Sequence, residues 1–168
     1  MSDQSASDRL TKTMRVAEAL NHVGLDPIVV GLDMEVREVA MAAAGHPAVR
    51  VISVVDANGR LAGLIRVGLL CDDLLLSIAP EEFIADILEP GKLDEFRRLA
   101  HATVAADLME PAEGVQEDDT LGAAFHRLHE RNLDGLAVLD AEGRPVAYLD
   151  RLRLIAVWLE AHPRPGSA

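Results

Sequence analysis

VAADLMEPAEGVQEDDTLGAAFHRLHERNLDGLAVLDAEGRPVAYLDRLRL, residues 104–154, decides the fold of this 168-residue chain. A short helix opening after Thr103 runs to Pro111, and a brief extended piece leads to an acidic cap at Asp118 and Asp119. A helix with the apolar face Leu121, Phe125 and Leu128 follows. Two short apolar runs come next, joined by Ala141-Glu142-Gly143-Arg144, and the stretch closes on a further helix. The predicted order is helix, strand, helix, strand, tight turn, strand, helix. No nucleophile stands beside a base in it.

The chain upstream reads as a looser copy. Pro111 lies 84 residues after Pro27, Asp140 lies 84 after Asp56, and Gly143-Arg144 lies 84 after Gly59-Arg60. In the first helices the offset is 85, Asp118 against Asp33, so one residue is gained before the helix and lost after it. A structural repeat tolerates such a slip in its loops, whereas chance periodicity does not return to register.

In the first copy, Pro27 to Val30 is short and β-branched, which predicts a strand. Asp33 caps a helix from Met34 to about Ala44, which Gly45 and Pro47 stop. Val49 to Val55 is a buried strand, Asp56 to Arg60 a turn, Leu61 to Ile65 its hairpin partner, and Val67 to Ile78 a helix. Ahead of this copy, apolar residues at helical spacing predict a helix over Asp8–His22, capped by Ser7 or Asp8 and ended by Gly24.

The totals narrow the function. Hydrophobic residues make up 49% and aromatics 3%, so the core is aliphatic. A net charge of −12 argues against a nucleic-acid partner, which demands clustered Lys and Arg. It equally disfavours an anionic membrane surface. Cys71 is the one cysteine, so no intrachain disulfide forms and a reducing compartment fits. Met1 to Arg9 lacks the apolar run of a signal peptide. The most apolar segment, Leu61 to Ala79, carries Arg66, Asp72 and Asp73, whereas a bilayer span needs about 20 nearly uncharged residues. A cytoplasmic location without membrane insertion is expected.

Each copy resembles a CBS (cystathionine β-synthase) domain, and the chain resembles a tandem CBS pair. The second copy carries Asp107-Leu108-Met109-Glu110-Pro111, Asp118-Asp119-Thr120-Leu121, Leu133 through Asp140, and Gly143-Arg144. The first carries Asp26-Pro27-Ile28-Val29-Val30, Val49 to Asp56, and Gly59 through Ile65. The resemblance implies an α+β fold: two βαββα repeats about a pseudo-twofold axis, with an inserted helical linker. The expected organisation is an N-terminal tail and helix over 1–24, a first CBS domain over 25–78, a linker over 79–103, a second CBS domain over 104–162, and a C-terminal tail over 163–168. It further implies clefts between the copies that take adenosine-containing ligands such as AMP, ADP, ATP or S-adenosylmethionine, with no cofactor required. A homodimer and a separate enzyme or transporter as regulated partner are implied in the same way.

Ligand-binding members of this family follow their third strand with Gly, two apolar residues, Thr or Ser, two variable residues and Asp, whose carboxylate takes the ribose hydroxyls. Here those positions are Gly63, Arg66 and Leu69 in the first copy, and Ala147, Asp150 and Arg153 in the second. Both copies lack the hydroxyl and the ribose carboxylate. Arg66 and Arg153 are phosphate contacts on one reading and ion-pair residues on the other. The cleft walls implied by the family are Ile28, Val29 and Ile52 in the first copy and Gly114, Val115, Leu136 and Ala137 in the second, all with a plain core role as the alternative.

Other constellations have simpler readings beside sharper ones. His126 and His129 share a helix face with metal-compatible spacing, yet no third ligand accompanies them, so a solvated or dimer-facing pair is preferred. Asp72-Asp73, Glu81-Glu82 and Glu117-Asp118-Asp119 offer oxygen ligands to a divalent cation, or serve as caps and favourable first turns. Cys71 is expected to pack as a small hydrophobe, and Trp158 with Leu159 to close the core or cover a dimer contact. The linker, with apolar faces at Phe83, Ile84, Ile87 and Leu88 and at Leu93, Phe96 and Leu99, either caps the pair or docks another subunit. The expected function is a non-catalytic sensor of a small ligand; a ligand-free scaffold, its clefts closed by Arg66, Leu69, Asp150 and Arg153, and a magnesium sensor are the alternatives.

Overall fold

The computed structural model describes residues 11–78 and 102–161. The first half contains α1 (Val16–Val23), β1 (Gly24–Leu25), β2 (Val29–Gly31), α2 (Val36–Ala44), β3 (Val51–Val55), β4 (Leu61–Arg66) and α3 (Val67–Ile78). The second contains α4 (Ala105–Leu108), β5 (Glu110–Pro111), β6 (Gly114–Gln116), α5 (Leu121–Glu130), β7 (Gly135–Leu139), β8 (Pro145–Asp150) and α6 (Arg151–Ala161). Both halves therefore hold a βαββα unit, β2-α2-β3-β4-α3 and β6-α5-β7-β8-α6. The helical linker's expected faces, and the caps at Ser7 and Asp8, lie outside the described residues.

Each half lends a strand to the other. One sheet runs β2-β3-β4-β5 and the other β1-β8-β7-β6. Glu110 and Pro111 pair antiparallel with Leu64 and Gly63, while Leu25 and Gly24 pair with Tyr148 and Leu149. The strands leading into each half thus cover the open edge of the opposite sheet. Gly63 is required here: a Cβ on it would come within 2.8 Å of the Glu110 carbonyl and the Met109 Sδ.

The lead-in segments are themselves a repeat. Val16 N–H donates to Asp119 O at 2.9 Å, as Ala105 N–H donates to Met34 O at 2.8 Å. Ala17 N–H donates to Glu117 O as Ala106 N–H does to Leu32 O, and Leu121 N–H to Met14 O as Val36 N–H does to Thr103 O. Ala105 lies 89 residues after Val16, whereas Glu110 lies 85 after Leu25. The difference is one helical turn, inserted in α1 without changing its face. That turn hid the equivalence of α1 and α4 from a search at constant offset.

The hairpins repeat most faithfully. Asp56 Oδ1 accepts from the amides of Asn58 and Arg60 at 2.8 and 3.0 Å, and Asp140 Oδ1 from those of Glu142 and Arg144 at 3.0 and 2.9 Å. Gly59 and Gly143 sit at φ +76° and +81°, which a side chain would strain. These backbone donors, the Arg144 amide first, hold the Asp140 carboxyl below its ordinary range. Across the pseudo-twofold axis the two turns touch, with Leu61 N–H donating to Gly143 O at 2.9 Å.

Several expected caps are corrected. Helix α2 starts at Val36 with Glu35 at the N-cap and no side-chain bond, so Asp33 does not cap it. Thr120 caps α5, its hydroxyl accepting from Ala123 N–H at 3.2 Å, while Asp119 accepts from Gln116 N–H. Val104 rather than Thr103 precedes α4, and Asp107 Oδ2 accepts from the amides of both Thr103 and Val104. Donation by the Thr103 amide, then by Val104, lowers the Asp107 carboxyl. Helix α1 begins at Val16, not at Asp8: residues 11–15 form a turn and a bridge to Thr120. The short helix of the second half ends at Leu108, because Glu110 and Pro111 are already strand. Cys71 is exposed and does not pack as a core residue.

One aliphatic core links the halves, with Ile52, Ile65 and Leu70 matched by Leu136, Leu149 and Leu154. Tyr148 breaks the match, standing where the first half has Leu64. Its ring occupies the space over Gly135, where a Cβ would lie 2.1 Å from the hydroxyl. Gly135→Ala is therefore expected to lower unfolding free energy by about 1–3 kcal/mol through overpacking. Gly68→Ala, in a helix with nothing within 4 Å of the new methyl, should raise it by about 0.5–1 kcal/mol. Urea denaturation of both variants checks the pair, and an unchanged Gly135→Ala protein contradicts the packing argument.

Candidate functional site

Where β8 turns into α6, the two halves leave a cleft of about 530 Å³. Ala48 and Arg50 line it from the first half, and Asp134, Asp150, Arg151, Leu152, Arg153 and Ile155 from the second. Arg50 and Asp134 occupy equivalent places, ahead of β3 and β7. Val67 N–H donates to Arg50 O at 3.0 Å just as Arg151 N–H donates to Asp134 O at 2.9 Å. The volume falls in the range typical of small-molecule sites, about 300–1,000 Å³.

Asp150 is buried, and its Oδ1 accepts from Arg153 N–H at 2.8 Å. It thereby caps α6, a role that a Ser or Thr hydroxyl fills as well. Tyr148 sits behind the cleft, its hydroxyl accepting from Arg50 N–H at 3.2 Å and tying β8 to the chain entering β3. Burial pushes this phenol well above its ordinary range. The guanidiniums of Arg50, Arg151 and Arg153 form no ion pair among the described residues.

The expected site residues separate. Asp150 and Arg153 line the cleft together. Ile28, Ile52, Val115, Leu136 and Ala137 are buried core residues, and Val29 is exposed on the edge strand β2. Leu69 is exposed on α3. Arg66 takes the ion-pair reading: its Nε lies 2.8 Å from Glu110 Oε2, fastening β5 to β4. With the two side chains 41% and 35% exposed, solvent screening keeps this pair to about 0.2–1 kcal/mol. Gly114 lines a different cavity of about 680 Å³ beside β6, together with Arg60, Arg127 and Arg131. There Arg131 Nε pairs with Glu113 at 2.8 Å and Arg127 donates to the Gly114 carbonyl.

Arg50, Asp134 and Arg151 were missed as site residues. Arg50 and Asp134 stand 84 residues apart, in register with the repeat, and that offset was the available signal. Tyr148, the chain's one tyrosine, announced itself only as an aromatic in an aromatic-poor sequence. Glu81-Glu82 lies outside the described residues, and several of the other constellations resolve into ordinary contacts. His126 Nδ1 lies 3.2 Å from Glu130 on the exposed face of α5, Asp118 lies 3.6 Å from Arg15, and Trp158 stacks on Phe125 with ring centroids 4.6 Å apart. Among the described residues no group of three or more His, Cys, Asp or Glu could hold a metal ion. No described helix is long and apolar enough to cross a membrane.

Comparison with known proteins agrees with this architecture. Residues 104–160 match the family model of the CBS domain. No curated protein matches the chain. Among solved structures, a CBS domain-containing protein from Thermotoga maritima is 21% identical, with 92% of this chain and all of that one covered at a TM-score of 0.67. CBSX2 of Arabidopsis thaliana, solved in complex with AMP, is 21% identical over 87% of this chain and 97% of its own, with a TM-score of 0.64. The CBS domain pair of protein MJ0100, in complex with 5′-methylthioadenosine and S-adenosyl-L-methionine, is 15% identical over 87% and 96%, with a TM-score of 0.62. The second half of this chain is thus a CBS domain, and the two halves together have the fold of a CBS-domain pair.

Tyr148 makes this inter-half packing measurable. A phenol whose folded pKa is raised contributes stability below its unfolded value near 10, lost progressively as the pH climbs above it. The tyrosinate absorbance of the native protein should stay flat through about pH 10 and rise only together with loss of circular dichroism. A reversible rise near pH 10 with the dichroism intact would place the hydroxyl in water instead.

Proposed function

We propose that this chain is a regulatory module that binds a small anionic ligand of the adenosyl nucleotide class in the cleft between its halves. The observation that carries the reading is the cleft itself: about 530 Å³, built from both halves, with Arg50, Arg151 and Arg153 around it. The AMP held by CBSX2 supports an anionic ligand, and the compounds held by the MJ0100 pair support only its adenosyl part. Its role is regulatory rather than catalytic. A ligand that touches Arg50 of one half and Arg153 of the other favours the arrangement of halves that presents both, a shift between existing states. The changed surface is read by a separate partner, and the module works as a homodimer in the cytoplasm.

Thermal unfolding with AMP, ADP, ATP, S-adenosylmethionine and NAD tests this directly. At a concentration a hundredfold above Kd, a true ligand adds about 2.7 kcal/mol, which for a chain of this size raises Tm by roughly 5–10 °C. A flat response to every compound overturns the proposal. That outcome would favour a scaffold, a reading supported by the Arg66–Glu110 pair, which already engages the first-half arginine with a carboxylate.

A further inference from the structure

Resting on that reading of the cleft, we infer that it recognises a chain of phosphates rather than a nucleoside: Arg50, Arg151 and Arg153 grip an oligophosphate, free or at the end of a nucleotide, and the base and sugar are left unread.

Three observations carry this. First, the chain has 28 acidic side chains against 16 Lys and Arg, yet none of the acids pairs with any of these three guanidiniums among the described residues. Arg15, Arg66, Arg131 and Arg144 have carboxylate partners, whereas Arg37, Arg60 and Arg127 share the lack of one among the described residues, so it is the grouping of three such arginines around one cleft that counts. Three arginines without a carboxylate partner among the described residues line this one cleft, an arrangement that suits an anion from outside. A guanidinium presents forked donors that match phosphate oxygens two at a time, and three of them suit several phosphates in a row better than one.

Second, of the two carboxylates that line the cleft only Asp150 is buried, and it serves as the cap of α6. Asp150, the buried acid, has Oδ1 committed to the Arg153 amide at 2.8 Å. Its charge opposes any phosphate nearby, so it acts as a structural cap that the three arginines must outweigh. Third, the remaining acid, Asp134, is exposed on the rim. Two opposite roles for it follow: as a diol acceptor its loss weakens binding, whereas beside a phosphate chain its loss strengthens it.

Isothermal calorimetry at low salt with sodium tripolyphosphate, ATP, GTP, AMP and adenosine separates the cases. Tripolyphosphate, ATP and GTP should bind within about threefold of one another, since the shared group is the one gripped. AMP should bind at least about tenfold more weakly, having lost most charge-assisted bonds, and adenosine should not compete. Arg50→Ala and Arg153→Ala should each weaken tripolyphosphate about tenfold, and Asp134→Asn should tighten it, a gain that misfolding cannot imitate. The inference is overturned, with the nucleotide reading left standing, if AMP and adenosine compete well while tripolyphosphate is silent, or if Asp134→Asn weakens binding. It is also overturned if Arg37→Ala, an exposed arginine of α2 outside the cleft, costs as much as the cleft variants. Silence of all five compounds removes both the inference and the reading beneath it.

Discussion

Two short sheets, each with an edge that would otherwise stand open, are closed by strands from the opposite half. β5 lies on β4 and β1 lies on β8, so neither βαββα unit completes its sheet alone. Exposed strand edges invite pairing with other chains, and a mutual exchange removes two of them at once. The remaining features follow from this constraint. Gly63 must be bare to admit the Glu110 carbonyl and the Met109 side chain, Arg66 finds its carboxylate on the visiting strand, and the two hairpin turns meet through Leu61 and Gly143.

The duplication is close in backbone and loose in chemistry. Hairpin bonds, bulges at Val54/Val55 and Val138/Leu139, and lead-in bonds recur position by position. Side chains at equivalent places differ: Leu64 against Tyr148, Arg66 against Asp150, Arg50 against Asp134. A pseudo-symmetric frame of this kind keeps its shape through main-chain hydrogen bonds, which leaves the side chains around each cleft free to diverge. The cleft beside α6 collects three arginines that have no carboxylate partner among the described residues, while Arg66, the counterpart of Asp150, is engaged by Glu110.

Such an arrangement gives the proposed regulatory function a physical basis. The α6 cleft draws Arg50 from one half and the Asp150–Ile155 turn from the other. Tyr148, hydrogen-bonded to the Arg50 amide, stiffens that junction from behind. On the proposed function, charge placed in the cleft acts on the packing of halves rather than on one half alone.

The βαββα order of each half, the duplication at an offset of 84 residues, the hairpin turns at Asp56–Arg60 and Asp140–Arg144 and the helix over Val67–Ile78 were all legible from the amino acids. Such features rest on local rules: apolar periodicity, glycine at positive φ, and Asp accepting its own turn's amides. The caps at Asp33, Asp118 and Thr103 were misread because several polar residues cluster at each helix start, and only the incoming chain selects among them. The strand exchange, the burial of Ile52 and Leu136 away from the cleft, the Arg66–Glu110 pair and the grouping of Arg50 with Arg153 were decided by tertiary structure alone. Each depends on residues some 40 to 120 positions apart meeting across two sheets, and sequence spacing carries no record of which edge a two-residue strand will cover.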